Sequence, residues 1–294
     1  MQLDKERVWK IIKAALAEDI GKGDVTTSSV IDKYSVAAGI IIAREECVIC
    51  GVDIARWVSS QVDYAIRFKA NCKDGDPVGA GKEVAFLEGR AAGLLKSERV
   101  MLNFLSFLSG VSTMTRKFVD KANPYGVKIM DTRKTLPNLR YLEKYAVSAG
   151  GGFNHRMGLY DQALIKDNHI KVLSTSYLVH RKKERPLGIK EIIELARKRS
   201  AKGVVVEVEA GDIEEFNAAI AARPDIIMLD NMRIADVKAC VEIRRFSKNK
   251  PRLEASGGIT LDNVEEYAKC RVDMISIGSL TSSVRSIDMS LEII

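Results

Sequence analysis

The sequence lacks the features that mark membrane, fibrous or exported proteins. Its longest uncharged run, from Val100 to Thr115, is interrupted by asparagine, serine and glycine, and it is shorter than the roughly 20 apolar residues of a bilayer-spanning helix. No basic segment followed by an apolar core opens the chain, so we expect no export. With 294 residues, only 6 prolines, 46% hydrophobic and 29% charged residues, the composition predicts a soluble protein of one or two domains.

Cysteine is scarce and odd in number. Cys47 and Cys50 form a CxxC pair, but no second pair or histidine lies nearby, whereas a closed zinc site takes four ligands. We therefore interpret both as small apolar side chains near a strand end. Five cysteines without a disulfide framework are typical of a reducing compartment, and we expect a cytoplasmic protein.

Several catalytic motifs are also absent. No GxGxxG or GxxxxGK[ST] loop follows an apolar run, which disfavours dinucleotide-binding and P-loop folds. The three histidines lack zinc-ligand spacing, and no Ser-His-Asp or Cys-His arrangement is visible, so nucleophilic catalysis is not indicated. What the chain has in excess is positive charge, because 46 Lys and Arg against 39 Asp and Glu give a formal charge of +7. That surplus favours an anionic partner: nucleic acid, acidic lipid, or a phosphorylated or carboxylated small molecule. Motifs for nucleic-acid binding and basic-aromatic interleaving are missing, so we expect neither nucleic acid nor membrane as a partner.

The periodicity of apolar residues changes along the chain. It predicts a helix over residues 3–18, short strands between residues 35 and 88 with one helix near residues 51–60, and a long helix over residues 91–123. After Pro124 the pattern becomes a repeat of strand, loop and helix. We therefore predict two domains, residues 1–122 and 123–294, with the last barrel-associated helix packing back on the first.

Six nearly continuous apolar runs in the second part are typical of strands in a covered parallel sheet. They recur at about 22 residues in the last four cases, which is the length of one strand, one helix and two short loops. This spacing favours an α/β barrel over an open sheet. The runs are VKIMDTRK, ALIKDNHI, GVVVEVEAG, PDIIMLDN, RLEASGGI and VDMISIGS.

Polar residues collect where these runs stop, as expected if an active site lies at the carboxyl ends of barrel strands. The cationic members suit carboxylate or phosphate recognition, although each alone also fits a solvated surface charge; they are Arg133, Lys134, His155, Arg156 and Lys166. Glu209 and Asp230, on neighbouring strands, suit a magnesium ion that keeps several waters; a helix N-cap is the alternative for Asp230. The loops Ser256–Gly257–Gly258 and Ile277–Gly278–Ser279 are expected to open helices and to hold a phosphate with their backbone N–H groups. Such a site suits a sugar phosphate carrying a pyrophosphate, together with a small polyanion.

Longer stretches of the chain resemble a known family. The block DTRKTLPNLRYLEKYAVSAGGGFNHRMGLYDQALIKDNHI at residues 131–170 is similar to the signature of the decarboxylating quinolinate phosphoribosyltransferases, also called nicotinate-nucleotide pyrophosphorylases. The likeness continues in EDIGKGDVTT at residues 18–27, SERVMLNFLSFLSGVST at 97–113, VEVEA at 206–210, MLDNM at 228–232 and EASGGIT at 254–260. This resemblance implies an incomplete α/β barrel with an amino-terminal α/β sandwich domain. It also implies the formation of nicotinate mononucleotide, pyrophosphate and carbon dioxide from quinolinate and phosphoribosyl pyrophosphate, with Mg²⁺, in the biosynthesis of NAD.

The resemblance assigns roles to residues of this chain. It implies a quinolinate pocket with Arg99 supplied by the partner subunit of a homodimer, and its other members are Thr132, Arg133, Lys134, His155, Arg156 and Lys166. Glu209 and Asp230 serve the ribose and the metal-bound pyrophosphate, and the two glycine loops hold the 5-phosphate. Lys134, Lys166, Glu209 and Asp230 form the implied catalytic set.

Some features stay open at this point. Many relatives carry a histidine where this chain has Ser282, which leaves the contacts of the last loop undecided. The segment from Ser174 to Leu187 is predicted to be a basic exposed insertion. A phosphoribosyltransferase of the same fold that acts on a different heterocycle is the alternative function, and assembly of dimers into hexamers is not decided.

Overall fold

A computed structural model describes residues 1–174 and 187–294. The predicted basic insertion falls almost entirely on residues 175–186, outside the described residues. In chain order, the helices are α1 (Lys5–Ile20), α2 (Val25–Val30), α3 (Val52–Val62), α4 (Ala91–Ala122), α5 (Arg140–Ala149), α6 (Asp167–Ser174), α7 (Ile189–Arg199), α8 (Ile213–Ala221), α9 (Ile234–Phe246), α10 (Val264–Lys269) and α11 (Ser279–Ser282). The strands are β1 (Val36–Ala43), β2 (Cys47–Val48), β3 (Arg67–Ala70), β4 (Pro77–Val78), β5 (Glu83–Arg90), β6 (Lys128–Met130), β7 (Ala163–Ile165), β8 (Val206–Ala210), β9 (Ile226–Asp230), β10 (Arg252–Ser256), β11 (Met274–Ser276) and β12 (Met289–Ile293).

The chain divides into two compact units that do not follow a single cut at residue 122. The first unit comprises Met1–Lys117, Lys134–Gly152 and Ser279–Ile294, and the second comprises Phe118–Arg133 and Phe153–Gly278. The middle segment belongs to the first unit because the end of α5 approaches α4 closely. A Cβ on Gly150 would lie 2.5 Å from the Ser112 carbonyl oxygen of α4, so only glycine permits this approach.

The first unit is built around an antiparallel sheet in the order β12-β1-β5-β3. The carboxyl-terminal strand completes it, since β12 pairs with β1 over Gly39 to Ala43. At the amino terminus, the Asp4 carboxylate caps α1 by accepting hydrogen bonds from the Glu6 and Arg7 amides at 3.0 and 3.3 Å. This unit has the sheet and helices of the predicted sandwich domain.

The two cysteines of the CxxC pair are buried, and burial keeps the Cys47 thiol protonated. Cys47 and Cys50 are both buried, and all five cysteines of the chain are free thiols. Burial, with a smaller contribution from Glu45, raises the pKa of Cys47 to about 11, so this thiol stays protonated at neutral pH. The interpretation of the pair as small apolar side chains is confirmed by their burial.

The second unit contains a parallel sheet in the order β6-β11-β10-β9-β8-β7. Each of its six strands is one of the predicted apolar runs, which are thereby confirmed. Within the described residues β6 and β7 are the two edges and do not pair, so the barrel is incomplete. Among these residues, no helix combines the length and apolar character that a bilayer span requires.

A short segment connects the two edge strands of this sheet. At one end, the Phe153 amide donates to the Ile129 carbonyl oxygen of β6 at 2.8 Å. At the other end, residue 163 begins β7, where the Ala163 amide donates to the Val205 carbonyl oxygen at 3.0 Å. Residues 153–162 therefore run from one edge of the sheet to the other, and we call them the bridging segment.

Candidate active site

The carboxyl ends of the parallel strands bring together the acidic residues and one glycine loop of the predicted site. In the strand register Glu209 of β8 lies beside Met228 of β9, and Asp230 at the end of β9 lies beside Ser256 of β10. Both carboxylates therefore lie at the carboxyl-terminal end of the parallel strands. Asp230 is not a helix N-cap, because α9 begins at Ile234 and its N-cap residue is Arg233. The capping alternative for Asp230 is excluded.

Lys166 and Glu209 form an ion pair across β7 and β8. The Glu209 side chain is 11% exposed and that of Lys166 is 42% exposed, so the carboxylate is the more buried partner. Glu209 also accepts a hydrogen bond from the Asp167 amide at 3.3 Å. On the neighbouring strand, Asp230 is half-buried and accepts a hydrogen bond from Asn231 Nδ2 at 2.9 Å. The structure thus places a cation directly against one of the two predicted acidic residues.

Asp131, directly after β6, fixes the start of the bridging segment. It is completely buried, and its two oxygens accept hydrogen bonds from the His155 amide at 2.9 Å and from Asn154 Nδ2 at 2.6 Å. The sequence shows Asp131 at a strand end, but its role is to hold the backbone that carries the predicted cationic residues. Its complete burial separates it from the more exposed side chains that follow it.

The His155 ring lies beside two buried carboxylates of the parallel sheet, Glu207 and Glu254. Its Nδ1 accepts a hydrogen bond from the Arg156 amide at 2.8 Å, and its Nε2 lies 3.1 Å from Glu207 Oε2 and 3.6 Å from Glu254 Oε2. Because Nδ1 acts as an acceptor, the ring proton is assigned to Nε2, facing the carboxylates. The His155 side chain is only 7% exposed, and the side chains of both glutamates are fully buried.

Glu207 and Glu254 are site residues that the sequence prediction missed. They lie within β8 and β10, two residues before the predicted Glu209 and Ser256. Because side chains two residues apart in a strand lie on the same face, this alternation was the available signal. Burial above all, and then the Glu207 charge, raise the pKa of Glu254 to about 8, against a smaller lowering by His155. Glu254 is therefore mainly a neutral carboxylic acid at pH 7.

Arg156 is a buried cation with a second cation nearby. Its Nη1 donates to the Gln162 carbonyl oxygen at 3.1 Å, and Arg156 as a whole is 8% exposed. Burial first, and then the positive charge of Arg133, lower the pKa of the Arg156 guanidinium. Since two like charges near each other are unfavourable, an anion that contacts both would be bound favourably. Half-buried Thr132 precedes Arg133 on the same loop.

The glycine loops differ in part from the prediction. Gly257 has φ +89°, and a Cβ there would lie 2.3 Å from Asn231 Oδ1, so this position requires glycine. This loop does not open a helix directly, because α10 begins only at Val264; the left-handed Gly257 and Gly258 turn the chain away first. In the other loop, the Ile277 amide donates to the Met130 carbonyl oxygen at 3.0 Å, so that N–H is already used. Gly278 follows it and is half-buried.

Three predicted site residues belong to the first compact unit. Arg99 is exposed on α4. Lys134 is also exposed, and its carbonyl oxygen accepts a hydrogen bond from Thr281 Oγ1 at 2.6 Å. Ser279 is the first residue of α11 and is half-buried.

Comparison with known proteins gives matches over nearly the whole chain. Residues 24–109 match the model of the quinolinate phosphoribosyl transferase N-terminal domain, and residues 111–292 match that of the C-terminal domain. A probable nicotinate-nucleotide pyrophosphorylase (carboxylating) of Methanocaldococcus jannaschii is 41% identical over 99% of this chain and 98% of its own. One from Bacillus subtilis is 41% identical over 97% and 92%. The solved structure of the nicotinate-nucleotide pyrophosphorylase from Francisella tularensis has a TM-score of 0.89 at 38% identity, covering 100% of this chain and 98% of that one.

The raised pKa of Glu254 predicts a pH-dependent stability. The folded chain keeps a proton on Glu254 up to a pH of about 8, whereas the unfolded chain releases it near the ordinary pKa of glutamate. Its contribution to the free energy of unfolding is therefore complete in acid and decreases as the pH rises from about 5 to about 8, by up to about 1.4 kcal/mol per pH unit. Glu254→Gln should remove this slope in urea unfolding.

Glu242→Gln, on the exposed ion pair with Arg245 in α9, is the matched control and should keep the wild-type slope. Parallel stability curves for the wild type and Glu254→Gln between pH 5 and pH 8 would contradict the assignment.

Proposed function

The chain belongs to the quinolinate phosphoribosyltransferase family, and we propose that it transfers the phosphoribosyl group of phosphoribosyl pyrophosphate to quinolinate, with release of pyrophosphate and carbon dioxide. The product is nicotinate mononucleotide, a precursor of NAD. The observation that carries this proposal is the arrangement at the carboxyl ends of the parallel strands, where Lys166 contacts Glu209 and Asp230 follows on the next strand. A cationic set and an acidic set meet there, as an anionic ring and a sugar pyrophosphate require.

The cationic set supports a dicarboxylate-binding pocket. Arg133 and Arg156 lie close enough for one charge to affect the other, and each guanidinium offers a planar pair of donors to a carboxylate. We assign quinolinate binding to these two arginines, and the family resemblance adds Thr132, Lys134, His155 and Lys166. His155 contributes through the position of its loop, because both ring nitrogens already face protein groups.

The two acidic residues at the strand ends, Glu209 and Asp230, and the glycine loops are assigned to the sugar phosphate. Glu209 and Asp230 would lie near the ribose and stabilise the positive charge that develops as pyrophosphate leaves. The Gly257 turn has no room for a side chain, which suits a backbone that must approach a phosphate closely. Residues 256–258 and 277–279 are the proposed 5-phosphate contacts, and in the second loop the N–H groups of Gly278 and Ser279 are the proposed donors because that of Ile277 already donates to Met130.

The donor set fits a magnesium ion. Glu209 and Asp230 are carboxylates on neighbouring strand ends, and Mg²⁺ prefers a few such oxygens while it keeps waters and bridges substrate phosphates. Since Lys166 and the Asp167 amide already contact Glu209, the more accessible Asp230 is the better candidate for direct contact. When bound, the ion would neutralise charge on the departing pyrophosphate.

The chemistry has two steps. The ring nitrogen of quinolinate attacks C1 of the ribose while the bond from C1 to the pyrophosphate oxygen breaks, and the electron pair of that bond leaves with pyrophosphate. The ribosylated ring is a pyridinium, so when the adjacent carboxylate departs as carbon dioxide, the electron pair remains beside a cationic nitrogen until a proton replaces the carboxylate. The protein holds the two substrates in line and supplies charges fixed in advance. Lys134 and Lys166 are the proposed cationic members of this catalytic set.

Direct product analysis tests the function. With quinolinate, phosphoribosyl pyrophosphate and Mg²⁺, the protein should form nicotinate mononucleotide, pyrophosphate and carbon dioxide in equal amounts, and nicotinate should not replace quinolinate. Lys166→Ala should lower kcat at least about 100-fold because it removes a charge beside the reacting groups. Lys238→Ala, an exposed lysine of α9, is the control and should keep wild-type activity. Turnover of another heterocycle with no product from quinolinate would contradict the proposal.

We also propose that the protein acts in the cytoplasm as a homodimer, or as a hexamer built from three such dimers, with Arg99 completing the site of the partner subunit. Its five free thiols are typical of a reducing compartment. Arg99 is exposed on α4, and its guanidinium is the type of group that binds a substrate carboxylate.

Hybrid dimers test the shared site. Arg99→Ala and Lys166→Ala should each be nearly inactive. An equimolar mixture that has exchanged subunits should recover about one quarter of wild-type activity, because half of the dimers are hybrids with one intact site of two. The double variant mixed with Arg99→Ala should recover nothing. Confirmed subunit exchange without recovery in the first mixture would show that Arg99 does not act across the interface.

A further inference from the structure

Gln162, the last residue of the bridging segment, contacts one arginine of the proposed quinolinate pocket and a buried carboxylate beside that pocket. Its carbonyl oxygen accepts a hydrogen bond from Arg156 Nη1 at 3.1 Å, and its side-chain amide donates to Glu207 Oε2. The following residue begins β7 and is held by the backbone bond from Ala163 to Val205. Gln162 is therefore fixed by the sheet on one side and acts on the pocket on the other.

These contacts form a closed circuit. From Gln162 the path runs to the fully buried Glu207, and from Glu207 to His155 Nε2 at 3.1 Å. His155 Nδ1 in turn accepts the Arg156 amide at 2.8 Å, and Arg156 returns to the Gln162 carbonyl oxygen. Each member thus restricts the orientation of the next, and the circuit contains both quinolinate residues of the bridging segment.

Arg156 needs such restraint more than an ordinary surface arginine. It is buried, and the Arg133 charge disfavours its charged form. A guanidinium in this position will turn towards any available acceptor unless its direction is fixed. The Gln162 carbonyl oxygen occupies one side of the fork and leaves the remaining donors for a ligand carboxylate.

We propose that Gln162 is a positioning residue for quinolinate, whose side chain orients His155 through Glu207, and with His155 the Arg156 amide that donates to its ring. This inference rests on the proposed function, because it concerns the pocket assigned to that substrate. Gln162 contacts Arg156 and Glu207, on the side of the site assigned to quinolinate, so its effect should be confined to quinolinate and should spare the sugar pyrophosphate.

Steady-state kinetics of Gln162→Met test the proposal. Methionine keeps the length of the side chain and the backbone carbonyl but removes the amide donor to Glu207. The KM for quinolinate should rise about tenfold, the effect expected for losing a hydrogen bond to a buried charged group. The KM for phosphoribosyl pyrophosphate should stay within about twofold, since a selective change follows only from an effect on the pocket. Gln61→Met, the same change in α3, should leave both constants unaltered.

A double-mutant cycle tests whether Gln162 acts through Glu207. If it does, Gln162→Met should change the quinolinate KM much less in a Glu207→Leu background than in the wild type. Gln162→Glu, which keeps the shape but sets a carboxylate against Glu207, should also raise the quinolinate KM selectively, and it carries the test should Gln162→Met not fold.

The outcomes separate this inference from the proposed function. A wild type that turns over quinolinate, with an unchanged quinolinate KM or an equal rise in both KM values in the folded variants, would overturn the role of Gln162 alone. Multiplicative effects in the cycle would overturn the path through Glu207. A wild type that does not turn over quinolinate would overturn the proposed function and this inference with it.

Discussion

The buried carboxylate of Glu207 is the constraint on which the candidate site depends. An ionised group without access to water is costly unless a hydrogen-bond donor or an opposite charge lies against it. Here the Gln162 amide donates to Glu207 and His155 Nε2 lies 3.1 Å from the same oxygen, and both residues belong to the bridging segment between the two edge strands. Satisfying one charge inside the sheet therefore holds the segment that carries Arg156, and the open side of the incomplete barrel becomes an ordered part of the site.

The neighbouring Glu254 shows how the interior limits its own charge. With two carboxylates and one imidazole inside 4.8 Å of one another, full ionisation would leave excess negative charge in a dry place. Burial and the Glu207 charge raise the pKa of Glu254 to about 8, which keeps it mainly protonated. The interior therefore carries less negative charge than two ionised carboxylates would give it, while the cations at the strand ends, Arg133 and Arg156, still repel each other. That imbalance is favourable for binding a dianion.

The sequence predicted the positions of the parallel strands better than it predicted the contacts between them. Apolar runs mark the strands because both faces are covered, and the polar residues at their ends identified Glu209, Asp230 and the cations. The family resemblance carried in residues 131–170 is confirmed by the domain matches and by relatives of 41% identity. The roles of single residues in substrate and metal binding stay predictions.

Other features could not be predicted because they depend on partners far away in the chain. The pairing of β12 with β1, and the close approach of Gly150 to α4, assign two late segments to the first unit. Glu207 and Gln162 are separated by 45 residues, so neither sequence position reveals the other. The first glycine loop was expected to open a helix, but its two left-handed residues direct the chain away before α10 begins. A calorimetric titration of quinolinate into the wild type and Arg156→Lys shows whether oriented guanidinium forks recognise a dicarboxylate. Quinolinate should bind more tightly than nicotinate, and Arg156→Lys, which keeps the charge but loses the fork, should weaken quinolinate binding at least about tenfold. Equal affinity for the two ligands, or wild-type affinity in the lysine variant, would contradict this recognition.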